Sequence, residues 1–342
     1  MIKISAPGKV HLIGEHAVVY GHPAIIAAVG RRIYIEAEKS DSVILEDERF
    51  NRRLEWSVTE CKEAAEHSQH LLKQCAEKGN YSDIIAWAKD SGSYNVYWKA
   101  MFGIVLNMVH ADSGIKIHVT RCDIPTGSGL GSSSAAAVAI AKAASEVYHK
   151  LPIEKVNEIT YECERLVHGT PSGGDNTACA YGGLIWFQKA QPKNIINPMQ
   201  LGHKLENFVL AYTKQPEKST GELVQMVREI PEHERNPKMQ ELDRMTHEMK
   251  GVLERKDYRR MKEIMNRTNE ILSSFGLSID ETDKISERVV LMGGAAKMCG
   301  ACYGGVMLAW HEHPEKVVEA IKQLGFEPLQ ADLAVEGVRI EH

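Results

Sequence analysis

Nowhere does this sequence run apolar for the roughly 20 residues of a membrane span, and its opening MIKISAPGKV lacks the hydrophobic core of a signal peptide. Charge of one sign is also missing, since the formal net charge over 342 residues is −5. Without a broad basic field, nucleic acid and anionic membrane are excluded as main partners, and a small anion has to be gripped locally. The seven cysteines, an odd number scattered from Cys61 to Cys302, argue against a disulfide framework and for reduced thiols in a cytoplasmic protein. Cys299 and Cys302 have the spacing of a redox pair or half a zinc site, but no second Cys/His pair lies nearby to complete four ligands. Internal repeats and low-complexity tracts are absent. What remains, 43% hydrophobic and 25% charged, is the composition of a soluble globular protein long enough for two domains.

The densest local signal is IPTGSGLGSSSAAAVAIAKAA at 124–144. Gly127, Gly129 and Gly131 free the chain for left-handed dihedrals and close approach of a ligand, and the Ala-rich run after them is a strong helix former. Free N–H groups and the positive dipole end at that helix start make an anion site. It is neither a P-loop nor a Rossmann fingerprint: no Lys-Ser/Thr follows the glycines, and no acidic residue sits at the required spacing.

Periodicity sets the surroundings. KISAPGKVHLI, AIIAAVG and RRIYIEAE read as strands, and residues 52–78 read as a helix from apolar spacings near three and four. A second helix is expected over 94–110, then an alternating strand GIKIHVTRCDIP that feeds the glycine loop. Helices follow over 132–149 and 153–167, then the turn-rich HGTPSGGDN and a strand YGGLIWFQ. Beyond about 190 the composition shifts to a strand FVLAYTK and charged amphipathic helices near 220–230, 237–254, 257–274 and 281–292, rich in methionine as packing filler. Strands around a second glycine turn and GVRIEH close the chain, and the expected division is 1–190 and 191–342.

Three motifs stand in a fixed order: PGKVHLIGEHAVVYG at 7–21, PTGSGLGSSSAA at 125–136 and KMCGACYGG at 297–305, with ERLVHGTPSGGDNTACAYGG at 164–183 between the last two. The set resembles the GHMP small-molecule kinases, and among them the branch that phosphorylates mevalonate. The specific parts are Gly-Glu-His-Ala-Val-Val-Tyr-Gly and His-Gly-x-Pro-Ser-Gly-x-Asp-Asn, because galactokinases share only Gly-Glu-His. The resemblance covers nearly the full chain and is weakest across 40–110. It implies an α+β GHMP kinase fold, with a ribosomal protein S5 domain 2-like N-terminal domain for ATP, a ferredoxin-like C-terminal domain and the active site between them. A homodimer is the family expectation.

By this resemblance Pro125, Gly127, Ser128, Gly129, Leu130, Gly131, Ser132 and Ser133 hold the phosphates of ATP. Ser133 and Glu164 match the family's Mg²⁺ ligands, a hydroxyl and a carboxylate suited to a hard cation. Asp175 matches the catalytic aspartate and Lys9 the lysine that polarises the acceptor hydroxyl, as phosphoryl transfer to an alcohol requires. Glu15, His16, Thr220 and Ala301 match positions near the acceptor. Two departures stand out. TKQPEKST is one residue longer than the family segment, so Ser219 competes with Thr220, and GACYGG replaces the usual Gly-Ala-Gly-Gly-Gly-Gly. Tyr303 is therefore expected to reshape the acceptor pocket. The alternatives are another acceptor (mevalonate 3-kinase, phosphomevalonate kinase or sugar kinase) or a non-catalytic ATP and ligand sensor. No extra Arg or Lys for a phosphorylated acceptor is identifiable from motif positions, and a sensor usually loses a base or metal ligand that this chain retains.

Overall fold

In a computed structural model of the protein, residues 1–90, 94–191, 193–329 and 332–341 are described. The chain opens with β1 (Ile2–Ile13) and β2 (Pro23–Ser40), paired antiparallel from Ile2↔Ala37 to Ile13↔Ile25. Two strands were expected around Gly30, yet one forms. The register jumps between Pro7↔Arg32 and Gly8↔Val29, so the extra residues bulge and pairing continues.

The region 40–110 departs most from its pattern. β3 (Val43–Asp47) and β4 (Arg52–Trp56) form a hairpin, and the helix expected over 52–78 is confined to α1 (Val58–Lys78). Leu54 and Trp56 fit strand alternation as well as helical spacing, and pairing with Leu45 and Val43 decides between them. Ser57 then accepts from the Glu60 N–H while Glu60 reaches back to Ser57, a capping box that sets the helix start. α2 (Ser82–Lys89) and α3 (Asn95–Met108) follow.

β5 (Gly114–Cys122) leads through the glycine loop into α4 (Ser132–Val147), α5 (Ile153–His168) and α6 (Gly174–Tyr181). Thus HGTPSGGDN is a turn only up to Gly173, and Asp175 stands in the first turn of α6. Small residues let α4 lie against β1, β2, α5 and α6 at once, with Ala135, Ala137, Ala139, Ala141, Ala143 and Ala144 all buried. β6 (Leu184–Gln188) and β7 (Ile195–Met199) complete a sheet in the order β12-β1-β2-β5-β3-β4, with β6 on the first half of β2 and β7 beyond it. β12 (Arg339–Glu341) is the chain's last strand, and His342 of GVRIEH lies outside the described residues. Buried Arg32 helps fix this returning tail, donating to the carbonyls of Glu336 and Gly337 as well as to Ser5.

The second sheet combines β8 (Phe208–Tyr212), β9 (Ala295–Met298), β10 (Val306–Trp310) and β11 (Glu327–Leu329) in the antiparallel order β11-β8-β10-β9. Strand order 4-1-3-2 with helical crossovers is the ferredoxin-like arrangement. Its first crossover is expanded into α7 (Thr220–Glu229), α8 (Glu232–Arg255), α9 (Tyr258–Ser274) and α10 (Asp280–Leu291); α11 (Pro314–Gln323) is the second. α8 starts five residues before the expected 237 and carries Pro237 inside it. Met239, Met245, Met249, Met261 and Met265 fill the α8–α9 layer, as their spacing indicates.

Candidate active site

A cleft of about 860 Å³ runs between the two sheets, walled by the end of β1, the glycine loop, the starts of α6 and α7, and the β9–β10 turn. At its floor, buried Lys9 of β1 extends Nζ to within 3.1 Å of Asp175 Oδ2. Lys9 is fixed from behind, because its N–H donates to the Leu130 carbonyl at 2.8 Å. Asp175, in the first turn of α6, gains from the helix dipole. Burial alone would raise its carboxyl, but the Lys9 ammonium, by opposite charge and hydrogen bond, outweighs that and holds it below the usual carboxylate range. Its side chain stays 38% exposed toward the cleft.

Above this pair lies the glycine loop. Gly127, Gly129 and Gly131 all have positive φ, and at Gly131 a side chain would also press on the Lys9 stem, with an added Cβ only 3.1 Å from Lys9 Cε. Gly131 is the N-cap of α4 and offers no side chain to the first-turn N–H groups, which are left for a ligand. Ser128, Gly129, Ser132 and Ser133 line the same wall. Pro125 is not among the lining residues, and the Leu130 side chain is fully buried in the core.

Glu164 of α5 is 3% exposed. One carboxylate oxygen lies 3.5 Å from His168 Nε2, and among the described residues Oε1 has no hydrogen-bond partner. Burial raises its carboxyl; His168 opposes the rise and Asp175 adds to it. A buried carboxylate with an unsatisfied oxygen, sharing a cleft wall with the Ser133 hydroxyl, suits a hard divalent cation that takes its other ligands from water and phosphate. Among the described residues no cluster of three or more His, Cys, Asp or Glu offers a complete metal cage.

The acceptor side is built around His16, which adopts φ 57° and approaches the Ala301 carbonyl through Nε2 at 3.2 Å. Burial lowers its imidazole to about 4, partly offset by that carbonyl. Glu15 is fully buried against the Lys297 ammonium, which also donates to the carbonyls of His11 at 3.1 Å and Met298 at 2.8 Å. Thr220 lines the cleft, whereas Ser219 is spent as the N-cap of α7 in a capping box with Glu222.

The β9–β10 turn contributes Cys299, Gly300, Ala301, Cys302, Gly304 and Gly305. It docks on the glycine loop, Val306 N–H donating to Ser128 O at 2.8 Å. Cys302 and Tyr303 hold positive φ of 69° and 60°, so the backbone conformation survives without glycine there. Cys302 lines the cleft, and the Tyr303 ring lies behind it under the Nζ of Lys218, itself a cleft-lining residue. Burial raises the Cys299 thiol to about 11 and pushes the Cys302 thiol well above its usual value, which disfavours the thiolate that redox or zinc chemistry needs.

Motif spacing did not point to several residues in the cleft wall or directly behind it. Lys297 is buried too far along the chain from Glu15 to be paired with it by pattern, and His11 reads as the polar side of a strand. Lys189, Lys218 and Arg228 also line the cleft, cations that motif positions did not reveal.

Residues 95–183 match the family model described as the GHMP kinases N terminal domain. The chain is 30% identical to a mevalonate kinase of Pyrococcus abyssi, over 100% of this chain and 98% of that one. It is 28% identical to a mevalonate kinase of Arabidopsis thaliana, over 99% of each. The crystal structure of Methanococcus jannaschii mevalonate kinase superposes with a TM-score of 0.78 at 25% identity, covering 97% of this chain and 98% of that one. Full-length similarity to such relatives, joined to a nucleotide-type glycine loop facing a Lys–Asp pair, shows that the chain belongs to the mevalonate kinase family of the GHMP kinases.

Proposed function

We propose that the protein transfers the γ-phosphoryl group of ATP to the C5 hydroxyl of mevalonate, giving 5-phosphomevalonate and ADP, a step toward isoprenoids. The observation that carries this reading is the Lys9–Asp175 pair at 3.1 Å, set beneath the open N-terminus of α4. Lys9 polarises the acceptor hydroxyl and Asp175 takes its proton as the oxygen bonds to γ-phosphorus and the bond to the ADP oxygen breaks. The N–H groups at Gly129, Gly131, Ser132 and Ser133 face the phosphate oxygens, where fixed donors neutralise charge without reorganising.

Mg²⁺ would be held by Ser133 and Glu164 and would neutralise charge on the nucleotide's phosphates. Glu15, His16, Thr220 and Ala301 enclose the acceptor, Glu15 being held in place by Lys297. We assign the nucleotide grip to residues 1–190 and divide the acceptor side between the halves, Glu15 and His16 from 1–190 and Thr220 and Ala301 from 191–342. A cytoplasmic homodimer is part of the same reading; among the described residues no helix is long and apolar enough to cross a membrane.

The test is ADP release with mevalonate, phosphomevalonate, galactose and homoserine. Phosphomevalonate stays on the panel because Lys189, Lys218 and Arg228 line the cleft. Turnover with mevalonate well above the others is expected. Preference for another alcohol would move the acceptor assignment, and no turnover with any would support a sensor.

A further inference from the structure

His11 is 5% exposed, yet among the described residues neither of its ring nitrogens has a hydrogen-bond partner. Native proteins rarely leave buried polar atoms unpaired, and an imidazole with both nitrogens unpaired invites a ligand. The ring is on the cleft wall. Lys9 and His11 are two apart on β1, so their side chains share a face of the strand, with backbones separated by roughly 7 Å. Immediately beyond His11 the β1–β2 register slips, from His11↔Ile26 to Ile13↔Ile25, a bulge of the kind that re-aims a side chain beside a site. The His11 carbonyl is tied down by Lys297 Nζ at 3.1 Å, so the residue is held from the backbone while its ring is left free. The residue therefore stands on β1 between Lys9 and the Glu15–His16 segment, all four lining the cleft.

We propose that His11 is a specificity-determining residue whose imidazole hydrogen-bonds a second hydroxyl of the acceptor, the one that is not phosphorylated. In mevalonate this is the C3 hydroxyl, so the inference rests on the mevalonate reading. A neutral imidazole offers a donor at one ring nitrogen and an acceptor at the other, and a hydroxyl, with one donor and two acceptor lone pairs, can pair with either of them. Burial, with Lys9 and Lys297 adding to it and Asp175 opposing, keeps the ring in that neutral form by lowering it to about 3. A site built to bond a substrate hydroxyl discriminates against analogues that lack it, because its own polar atoms are then left unpaired.

The experiment is steady-state kinetics of wild type, His11→Leu and His11→Gln with mevalonate and with its analogue lacking the C3 hydroxyl, together with thermal melts of each ligand-free protein. For His11→Leu, KM for mevalonate should rise by about 10-fold or more, with kcat and the ATP KM within about 3-fold of wild type. His11→Gln, which keeps one donor and one acceptor, should recover most of that loss. With the deoxy analogue, wild type and His11→Leu should have the same KM within about 3-fold. The melting temperature of His11→Leu should equal or exceed that of wild type, since an unpaired buried polar group is removed.

An unchanged KM for mevalonate would overturn the proposal, as would an equal penalty with both acceptors. A fall in kcat at constant KM would also overturn it and assign His11 to the Asp175 pair. If His11→Leu does not fold, His11→Gln is compared with wild type on the two acceptors, with ¹⁵N resonances of the His11 ring in wild type recorded as each is added. A shift with mevalonate and none with the deoxy analogue supports the contact, and equal shifts refute it. Should wild type prefer another alcohol, the acceptor reading alone falls, and the same variants are scored on that alcohol and its deoxy analogue.

Discussion

The Lys297 ammonium on β9 is held by the Glu15 carboxylate just after β1, 282 residues earlier, and both side chains are fully buried. This pair joins the first and third sequence motifs behind the cleft wall, so the acceptor wall depends on both sheets. Removing one partner strands a buried charge. Lys297→Met should lower the unfolding free energy by about 3–5 kcal/mol, read by urea denaturation, and Lys297→Met with Glu15→Leu should recover part of it. Single and double variants equally unstable would show that the pair acts through packing alone.

Asp175→Asn keeps size and much of the hydrogen bonding but removes the charge facing Lys9. We expect kcat to fall by at least about 10²-fold, with KM for ATP and mevalonate little changed, since the loss is confined to the transition state. Because Asp175 is held below the usual carboxylate range, the acid limb of wild-type kcat against pH should lie below that range too. Near-normal kcat in a folded variant removes Asp175 from the chemistry.

The buried histidines set a pH dependence of stability. His11 and His16 are lowered from 6.5 to about 3 and about 4, so below 6.5 the unfolded chain binds protons that the folded chain refuses. Their contribution is whole above 6.5 and declines as pH falls toward those values, each by up to about 1.4 kcal/mol per pH unit. Glu164, raised by burial, titrates with the opposite sign. The check is therefore a difference: between pH 6 and 4, unfolding free energy should fall less steeply in His11→Leu than in wild type. Parallel curves would mean that His11 protonates freely in the fold.

Glu164→Gln should raise the Mg²⁺ concentration for half-maximal activity by about 10-fold or more, since a charged hard ligand is lost. The ligand-free melting temperature should not fall, because the variant removes a buried carboxylate with an unpaired oxygen. A Mg²⁺ titration of activity and a melt in chelator measure the two. Unchanged Mg²⁺ dependence excludes Glu164 as a ligand.

Where a feature depends on neighbours in the chain, the sequence by itself determined it. The positive φ at Gly127, Gly129 and Gly131 and the helix after them follow from residue types within one short stretch, as do α5, α9 and the alternating β5. Family motifs also led to Lys9 and Asp175, whose 3.1 Å approach was then found in the fold. Only the tertiary structure decided between patterns that local spacing leaves degenerate. Residues 52–56 fit helix or strand until Val43–Asp47 pairs with them, and Gly30 fits a turn or a bulge until β1 lies alongside. Where Tyr303 stands is likewise settled by the docked turn, which lays its ring under Lys218. The Lys297–Glu15 pair and the isolation of the His11 ring were out of reach for the same reason. Burial and pairing between residues far apart in the chain are properties of the closed fold, and no short-range periodicity encodes them.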